Sequence, residues 1–405
     1  MSFRSYVTIL DPSRNSSLKK LPAVNREVVF GLLLGFALGI TFMNIPPALK
    51  TLMEVYGVSY VTISMLIGTL FWSHALMQVP AGLITDRAGI RRSLAMSLFC
   101  VTFGNLLPAS FPSLGLAVAG RMIIGVGSGL GFVTTMKMVV VHGPEGKGSS
   151  YQAFFAGSFS FGSILAYLII PSLARWGWYW VYLLPGGATL LLVPLLARLR
   201  LKESSSIRSK PLSLGRLLRI REGWVLGVYH ALSYGSLIAL GTWLPSVLSE
   251  VWTRGDATQL AWSGAMVMLV SGSGRMLGGL LLSGFHPVFI TRGAVFALFL
   301  IFLPLCFVSS PGLVLTLAVL AAWFASVNFG AIFQLASRAT APDSMGGLVG
   351  FINFLANIGA VLFTLLFGWM KDTSGSFGWS FAVLAFLCLM ATIGVRRLES
   401  FSRPE

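Results

Sequence analysis

Long apolar segments alternate with short polar ones along almost the whole chain. A helix needs about 20 apolar residues to cross about 30 Å of hydrocarbon. Twelve segments of roughly this length lie at 28–48, 60–82, 93–111, 114–140, 151–172, 177–197, 224–247, 261–284, 291–309, 312–334, 346–369 and 377–395. The pattern predicts an all-α membrane protein with twelve transmembrane helices, which we number as spans one to twelve.

A single long charged segment separates spans six and seven. We therefore expect two pseudo-symmetric six-helix bundles, joined by a basic linker and flanked by short tails. The predicted regions are a cytoplasmic tail at 1–27, a first bundle at 28–197, the linker at 198–223, a second bundle at 224–395 and a cytoplasmic tail at 396–405. Within the linker, residues 212–220 form a candidate amphipathic helix on anionic lipid.

The two bundles also show an internal repeat. Gly82-Leu-Ile ends span two and Gly279-Leu-Leu ends span eight, at an offset of 197 residues. Internal repeats of six spans are typical of transporters, in which the solute site lies near the bilayer midplane between the repeats. The same offset makes Gln78 in span two the equivalent of Arg275 in span eight.

Composition and charge are typical of a membrane protein. The chain has 405 residues, of which 55% are hydrophobic and only 10% charged, whereas soluble domains contain about 25% charged residues. With both termini placed in the cytoplasm, 22 of the 29 lysines and arginines lie on that side, in agreement with the positive-inside rule. The net charge of +16 is therefore attributed to membrane topology and not to a nucleic-acid partner. We expect a multi-pass protein of a bacterial cytoplasmic (inner) membrane.

No constellation of residues in the sequence is typical of an enzyme. The spans contain no pair of carboxylates, the His and Cys residues lack metal-ligand spacing, and no glycine-rich loop ends in GK[ST]. Cys100, Cys306 and Cys388 each lie within a span and fit the role of small packing residues. We therefore expect no enzymatic activity, no cofactor and no metal, and we expect a monomer.

The charged residues that lie more than one residue from either end of a predicted span are all positive: Arg121, Lys137 and Arg275. Charge at the bilayer centre costs roughly 2.5–3.5 kcal/mol per residue on insertion scales, so retained charges usually mark a pathway or a binding site. A positive interior predicts an anionic solute. Arg275 is about 14 residues from one end of its predicted span and nine from the other, which makes snorkelling to water difficult.

Uncharged polar residues in the spans extend the predicted solute site. Gln78, at the position equivalent to Arg275, can both donate and accept hydrogen bonds. Tyr234 lies in span seven and two asparagines lie in span eleven. The candidate solute ligands are Arg275, Gln78, Lys137, Arg121, Tyr234, Asn353 and Asn357.

The driving ion is a separate question, because proton symport often uses a carboxylate within the membrane and the predicted spans contain none. Coupling to a proton would then involve His74, His230 or Arg121, or a proton bound to the anion itself. Exchange for a counter-anion requires no titrating residue. We favour uniport, exchange or symport of a protonated anion over a carboxylate relay.

The loop after span two contains the most specific motif of the chain, Gly82-Leu-Ile-Thr-Asp86-Arg87-Ala-Gly89-Ile-Arg91-Arg92. It resembles the signature loop of the major facilitator superfamily, GxxxDRxGRR. Arg121-Met-Ile-Ile-Gly125-Val-Gly127-Ser-Gly129 in span four is similar to that superfamily's RxxxGxGxG pattern. The resemblance covers essentially the whole chain and implies two bundles that rock around a central cavity. It also implies a conformational latch formed by Gly82, Asp86, Arg87, Gly89, Arg91 and Arg92.

The second bundle resembles the nitrate/nitrite porter branch of that superfamily. Tyr234-Gly-Ser-Leu-Ile-Ala-Leu-Gly-Thr-Trp-Leu-Pro245 is similar to the branch's FGSFIGFS-type helix, and Arg275-Met-Leu-Gly278-Gly279 is similar to its Arg-Pro-x-Gly-Gly segment. The resemblance implies that Arg275 contacts the anion. The branch has a second arginine in span two, where this chain has Gln78, so an anion larger than nitrate is as good a candidate as nitrate.

The sequence therefore predicts a secondary transporter that moves a small inorganic or organic anion by alternating access. One alternative is a multidrug or small-solute exporter of the same superfamily, although span five lacks the exporters' Gly/Pro-rich motif. Another alternative is a membrane scaffold or sensor that keeps the fold without transport, which the intact loop motif disfavours.

Overall fold

A computed structural model of the chain describes residues 25–143, 148–201, 215, 218–282, 284–339 and 345–394. In this part of the chain every regular element is helical. The helices of the first half are α1 (Arg26–Phe42), α2 (Leu49–Tyr56), α3 (Tyr60–Ala88), α4 (Ile90–Ala109), α5 (Leu114–His142), α6 (Gly148–Ala174), α7 (Trp180–Leu190) and α8 (Leu192–Arg198). Those of the second half are α9 (Arg221–His230), α10 (Ser236–Val251), α11 (Ala257–Leu281), α12 (Pro287–Leu305), α13 (Pro311–Val327), α14 (Phe329–Arg338), α15 (Met345–Ser374) and α16 (Gly378–Ile393).

These helices form the twelve predicted spans. Ten segments are long and apolar enough to cross a membrane, with α1–α2, α7–α8, α9–α10 and α13–α14 each counted as one. Helix α4 and the shorter apolar helix α16 complete the set. The all-α fold is therefore confirmed. The predicted tails and most of the linker, including most of the candidate amphipathic helix at 212–220, lie outside the described residues.

Some predicted boundaries need correction. Span eight is helix α11, which begins and ends a few residues earlier than expected, so Arg275 lies only six residues before its last residue. Several helices also extend beyond the predicted spans and take in acidic residues at their ends. Glu27, for example, lies in the first turn of α1, where its buried carboxylate accepts a hydrogen bond from the Arg200 backbone N–H at 3.2 Å.

Four spans are divided into two helices: span six at Leu191, between α7 and α8, and spans one, seven and ten near their middle. Span one changes direction after Phe42, where a 3-10 turn at Pro46–Ala48 precedes α2, in agreement with the kink expected at consecutive prolines. Span seven contains a π-helical turn at Ala231–Gly235, and span ten breaks at Asn328 between α13 and α14. The Asn328 side-chain amide donates to the Ser233 hydroxyl at 2.9 Å, which joins the breaks in spans seven and ten.

Glycines allow close helix contact inside each half. A Cβ atom at Gly39 would collide with the carbonyl oxygen of Phe159, and one at Gly162 would collide with the carbonyl of Phe36. Spans one and five therefore cross with their backbones in contact, which small residues permit in membranes. In the second half, Gly278 of α11 meets the carbonyl of Val327 in the same way.

The two halves meet through α3 against α15 and α6 against α11. We name the ends of the molecule inner and outer by the predicted cytoplasmic orientation. At the outer end, the Lys50 ammonium donates to the Ser249 hydroxyl at 2.9 Å. The Asp372 carboxylate accepts hydrogen bonds from the backbone N–H groups of Tyr60 and Val61, at 3.2 and 2.7 Å, at the start of α3. Near mid-height, Trp72 stacks on Phe354 with ring centroids 6.4 Å apart.

Toward the inner end the facing helices leave open space. A Cβ atom built on Gly82, Gly157, Gly279 or Gly350 would have no heavy atom within 4 Å, apart from those of its chain neighbours and of its own helix backbone. These glycines lie on α3, α6, α11 and α15, the four helices that join the halves, and each is nearer the inner end than the contacts above. The halves are thus in contact at the outer end and diverge toward the inner end.

Candidate functional site

Arg275 lies in a cradle of aromatic rings contributed by spans seven and ten. Its guanidinium carbon is 5.1 Å from the centre of the Phe329 ring and 5.9 Å from that of Tyr234. Side chains on a helix tilt toward the helix N-terminus, which for α11 is the outer end. The side chain is therefore directed toward the bilayer interior, although its Cα is closer to the inner end than the sequence predicted.

The charge of Arg275 has no acidic partner. None of the acidic side chains in the described segments forms an ion pair with it, and its buried Nε atom has no hydrogen-bond partner there. Ring faces attract a guanidinium but leave its formal charge in place. This residue is therefore a partly buried positive charge without an acidic partner in the described segments, and it can still accept an anion.

His230 and Asn353 lie in the same cluster. The His230 ring is 5.8 Å from Tyr234 and 5.6 Å from Phe329, measured between ring centroids. The Asn353 side chain lies near this ring, and His230 Nδ1 has no hydrogen-bond partner among the described residues. Asn357, one turn along α15, instead donates to the Asn353 carbonyl at 2.9 Å.

The local backbone of span seven helps to place these groups. The π-helical turn begins directly after His230 and contains Tyr234, and single π-turns inside α-helices frequently occur at functional sites. Gly359 of α15 packs against the carbonyl of Ala231, and Gly235 packs against the Gly359 backbone. Span eleven therefore supports the turn that presents Tyr234 to Arg275.

Gln78 occupies the equivalent place in the first half. It lies 18 residues after the first residue of α3, and Arg275 lies 18 residues after the first residue of α11. Gln78 is partly accessible, and its Nε2 is 3.0 Å from the Nε2 of His74, one turn earlier. Gly82 and Gly279, each one turn further toward the inner end, adjoin the open space between the halves.

Arg121 is in a different environment. It is fully buried, and its Nη1 donates to the Thr41 carbonyl at 3.2 Å and to Asn44 Oδ1 at 3.0 Å. Asn44 in turn donates to the Val181 carbonyl at 3.1 Å. The guanidinium thus holds the break in span one against span six, a structural role. Its Nε and Nη2 have no hydrogen-bond partner among the described residues, and it makes no described contact with Arg275, Tyr234 or Phe329.

Lys137 is paired with an acid. Its ammonium lies 2.5 Å from Asp86 Oδ1, with the Asp86 side chain half-exposed. The pair links spans two and four at the inner end. Asp86 therefore contacts a lysine of span four and not the neighbouring arginines of its own loop, and the positive charge of Lys137 is largely offset.

The loop after span two turns at a glycine and is bonded to span six through one of its arginines. Gly89 has a positive φ of 82°, which favours glycine. The Arg91 guanidinium donates to the carbonyls of Leu196 and Ala197, at 3.1 and 3.3 Å, and to that of Leu199. It thereby caps the inner end of span six, while Arg87 and Arg92 are exposed or partly exposed at the surface. These contacts fix the loop to the first bundle.

Sequence reasoning missed several residues of this region. Phe329 and Phe333 are four residues apart on α14 and both face His230, with Phe333 at 5.5 Å between ring centroids. Their spacing was a usable signal, because residues four apart share a helix face. Ser128, which is 2.9 Å from His74 Nδ1, gave no such signal. Ser128 contacts His74 because spans two and four pack together, and the pattern of a single span does not reveal that packing.

Comparison with known proteins agrees with this architecture. In Escherichia coli K12, the cyanate transport protein CynX is 24% identical to the chain, over 89% of this chain and 94% of that protein. The D-galactonate transporter of Escherichia coli O6:H1 is 23% identical, over 87% of this chain and 89% of that protein. Among solved structures, a D-xylose–proton symporter has a TM-score of 0.73 at 16% identity, covering 91% of this chain and 96% of that one.

The family model described as Major Facilitator Superfamily matches residues 31–312, which is more than half of the chain. The narrower resemblance to the nitrate/nitrite porter branch stays a prediction. The chain is an integral, multi-pass membrane protein and a transporter, not an enzyme. On the combined evidence of its fold and the matched residues, it belongs to the Major Facilitator Superfamily.

Proposed function

We propose that this protein moves a small anion across the bacterial inner membrane by alternating access, with Arg275 as its main anion-binding residue. The observation that carries the proposal is the unpaired charge of Arg275, held by Phe329 and Tyr234 with no acidic partner in the described chain. Of the other two cations, Lys137 is paired with Asp86. Arg121 is fully buried inside the first bundle, where its Nη1 donates to backbone and amide oxygens and its Nε and Nη2 have no partner among the described residues. An unpaired buried cation is costly unless a solute neutralises it.

Two further observations support the proposal. Gly279, one turn from Arg275 toward the inner end, is exposed and has no heavy atom within 4 Å of its Cβ position, so a solute could approach Arg275 from that side. Relatives whose names denote a cyanate carrier and a galactonate carrier transport anions, which fits a site with one fixed positive charge. The contacts at the outer end and the opening at the inner end correspond to the inward-open state of an alternating-access cycle.

The other predicted residues have supporting roles in this proposal. Gln78, His230 and Asn353 would provide uncharged hydrogen-bonding groups around the bound anion. Asp86, Lys137 and Arg91 would hold the inner ends of spans two, four and six together as the bundles move. This proposed latch adds Lys137, which pairs with Asp86, to the predicted loop residues.

Uptake by the purified protein in proteoliposomes tests the proposal. Radiolabelled cyanate, nitrate, malate and succinate would be supplied separately, with an imposed proton gradient in one arm and an internal counter-anion in the other. We expect at least one anion to accumulate above protein-free vesicles, and Arg275→Gln to reduce that uptake by about tenfold or more. Arg254→Gln, which removes an exposed arginine outside the spans, is the matched control and should transport normally. Equal uptake by the wild type and Arg275→Gln would overturn the assignment of Arg275.

A further inference from the structure

A chain of hydrogen bonds connects Gln78 to the interior of the first bundle. Gln78 Nε2 is 3.0 Å from His74 Nε2, His74 Nδ1 is 2.9 Å from Ser128 Oγ, and Ser128 Oγ is 3.1 Å from the Gly125 carbonyl oxygen. His74 and Ser128 are buried, whereas Gln78 is partly accessible. The chain therefore has one end inside the bundle and the other at the space between the halves.

The buried end of the chain determines which atom donates at each step. A carbonyl oxygen can only accept, so the Ser128 hydroxyl hydrogen points to Gly125. The Ser128 oxygen then accepts a hydrogen bond from His74, which places a proton on His74 Nδ1. This assignment satisfies every contact in the chain.

The surroundings of His74 favour the neutral ring. Its ring centroid is 5.1 Å from that of Phe42 and 6.0 Å from that of Phe132, and no acidic side chain of the described segments pairs with it. An isolated charge in such apolar surroundings is costly. A neutral imidazole with its proton on Nδ1 has a lone pair on Nε2, so the group of Gln78 that faces His74 must be the NH₂.

This orientation leaves the Gln78 carbonyl oxygen, Oε1, as the free acceptor of the amide. In the part of the chain that the structure describes, no residue donates a hydrogen bond to Oε1. Gly82, one turn along the same face of α3, adjoins open space. Oε1 can accept a hydrogen bond but cannot donate one, whereas the second N–H of the amide can still donate to the oxygen of a hydroxyl group.

We propose that His74 and Ser128 are positioning residues that fix the Gln78 amide with its oxygen toward the solute, so that the transported anion must supply a hydrogen-bond donor and is a hydroxylated carboxylate. This inference rests on the proposed function, in which Arg275 binds the negative charge. The solute would have two recognition groups: a carboxylate for Arg275 and a hydroxyl for Gln78.

Anions without a donor are disfavoured by the same geometry. Cyanate, nitrate and succinate present only acceptor atoms at neutral pH, and two facing acceptors repel and leave Oε1 without a partner. A site built to hydrogen-bond a hydroxyl rejects analogues that lack it, because its own polar group is then unpaired. The amide of Gln78 thus acts on specificity, whereas Arg275 acts on affinity for anions in general.

Malate and succinate form a suitable pair of probes, because both are four-carbon dicarboxylates and only malate has a hydroxyl. Equilibrium binding of each labelled anion to the purified protein, together with cyanate and nitrate as competitors, gives the selectivity. We expect the wild type to bind malate at least about fivefold more tightly than succinate, as one net hydrogen bond implies.

Two variants and a control distinguish a positioning effect on the Gln78 amide from a general packing effect. Ser128→Ala removes the acceptor that fixes the His74 proton, and Gln78→Leu removes the amide; both should bring the malate-to-succinate ratio close to one while binding of each anion still requires Arg275. Thr134→Val is the matched control, because the Thr134 hydroxyl is 2.7 Å from that of Thr85 between the same two spans but does not contact Gln78. It should leave the ratio unchanged, so a lower ratio in all three variants would indicate a general packing effect and contradict the proposal.

The two proposals fail in different ways. If succinate, cyanate or nitrate binds as tightly as malate and all binding requires Arg275, the role of Gln78 is wrong and the anion site stands. If no anion in the panel shows binding that depends on Arg275, the proposed function itself is wrong, and the inference about Gln78 is overturned with it.

Discussion

At the scale of single residues, the three cations inside the spans differ in what surrounds them. Arg121 is bonded to a carbonyl and an amide oxygen, Lys137 is paired with Asp86, and Arg275 rests on aromatic rings without an acid. The guanidinium of Arg275 suits this position because it stacks on ring faces and can still offer planar donors to a carboxylate. Of the two cations without an acid, Arg121 is fully buried, so Arg275, which is partly accessible, is the one that a solute can reach.

The aromatic rings around Arg275 predict that replacing Phe329 by a smaller residue lowers the affinity for the transported anion. Phe329→Leu removes the ring 5.1 Å from the Arg275 guanidinium, and cation–π contacts contribute about 0.5–2 kcal/mol. We expect the apparent affinity for the transported anion to fall about 2- to 30-fold, with the protein still folded. Uptake measured against anion concentration checks this.

Phe333→Leu is the control for that variant. Phe333 lies on the same helix and contacts His230, but its ring does not lie over the Arg275 guanidinium in the described structure. Its apparent affinity should stay near that of the wild type. An equal loss in both variants would mean that the aromatic cluster acts through packing and not through the charge of Arg275.

The sequence was informative about which residues are charged and uncertain about their partners. The internal repeat alone matches Arg275 to Gln78. In the structure each of the two lies 18 residues after the first residue of its helix. The pairing of Asp86 with Lys137 could not be predicted, because it joins residues 51 positions apart in a helix register set by tertiary packing. Ser128 was missed for the same reason.

At the scale of helices, the apolar pattern predicted where the spans lie but not where they break internally. The prolines after Asn44 indicated the kink in span one. The π-helical turn in span seven and the break at Asn328 have no proline to mark them, and they are stabilised by a contact between spans, Asn328 to Ser233 at 2.9 Å. Such breaks result from packing between spans, and the hydrophobic periodicity of one span does not predict that packing.

The contact between spans one and five predicts a difference between two glycines. Gly162→Ala places a methyl group against the Phe36 carbonyl, and overpacking of this kind costs about 1–3 kcal/mol. Gly187→Ala adds a methyl group where no heavy atom lies within 4 Å. We expect a lower thermal unfolding temperature in detergent for the first variant only, measured by intrinsic tryptophan fluorescence. Equal temperatures for both variants would contradict the observed crossing.

At the scale of the whole molecule, the halves are in contact at the outer end and separated at the inner end. At the outer end, the Tyr60 ring of the first half packs against Trp243 and Phe377 of the second half. The polar contacts there join Lys50 to Ser249, Arg175 to Thr258 and Asp372 to the start of α3. Contacts of this kind contribute modestly to stability when exposed, so they can break in each transport cycle. The fold class and the two halves could be predicted from the sequence, whereas the conformational state could not, because it depends on contacts between the halves.

Cross-linking the outer end tests whether these contacts must break. In a background with Cys100, Cys306 and Cys388 replaced by alanine, Lys50→Cys and Ser249→Cys would be joined by a short bifunctional maleimide. We expect the cross-link to abolish uptake, because the halves could no longer separate at the outer end. Glu250→Cys with Lys371→Cys joins two neighbours within the second half and should leave uptake near that of the unmodified variant. Normal uptake after complete cross-linking of the first pair would exclude the proposed movement.

The most direct test of the whole account is counterflow in proteoliposomes, which requires binding and alternation of the site but no driving ion. Vesicles preloaded with an unlabelled transported anion would be diluted into a trace of the same labelled anion. The account predicts rapid transient accumulation of label by the wild type and by Arg254→Gln, and about tenfold slower accumulation or none by Arg275→Gln. Counterflow by Arg275→Gln at the wild-type rate would contradict the claim that Arg275 binds the transported anion.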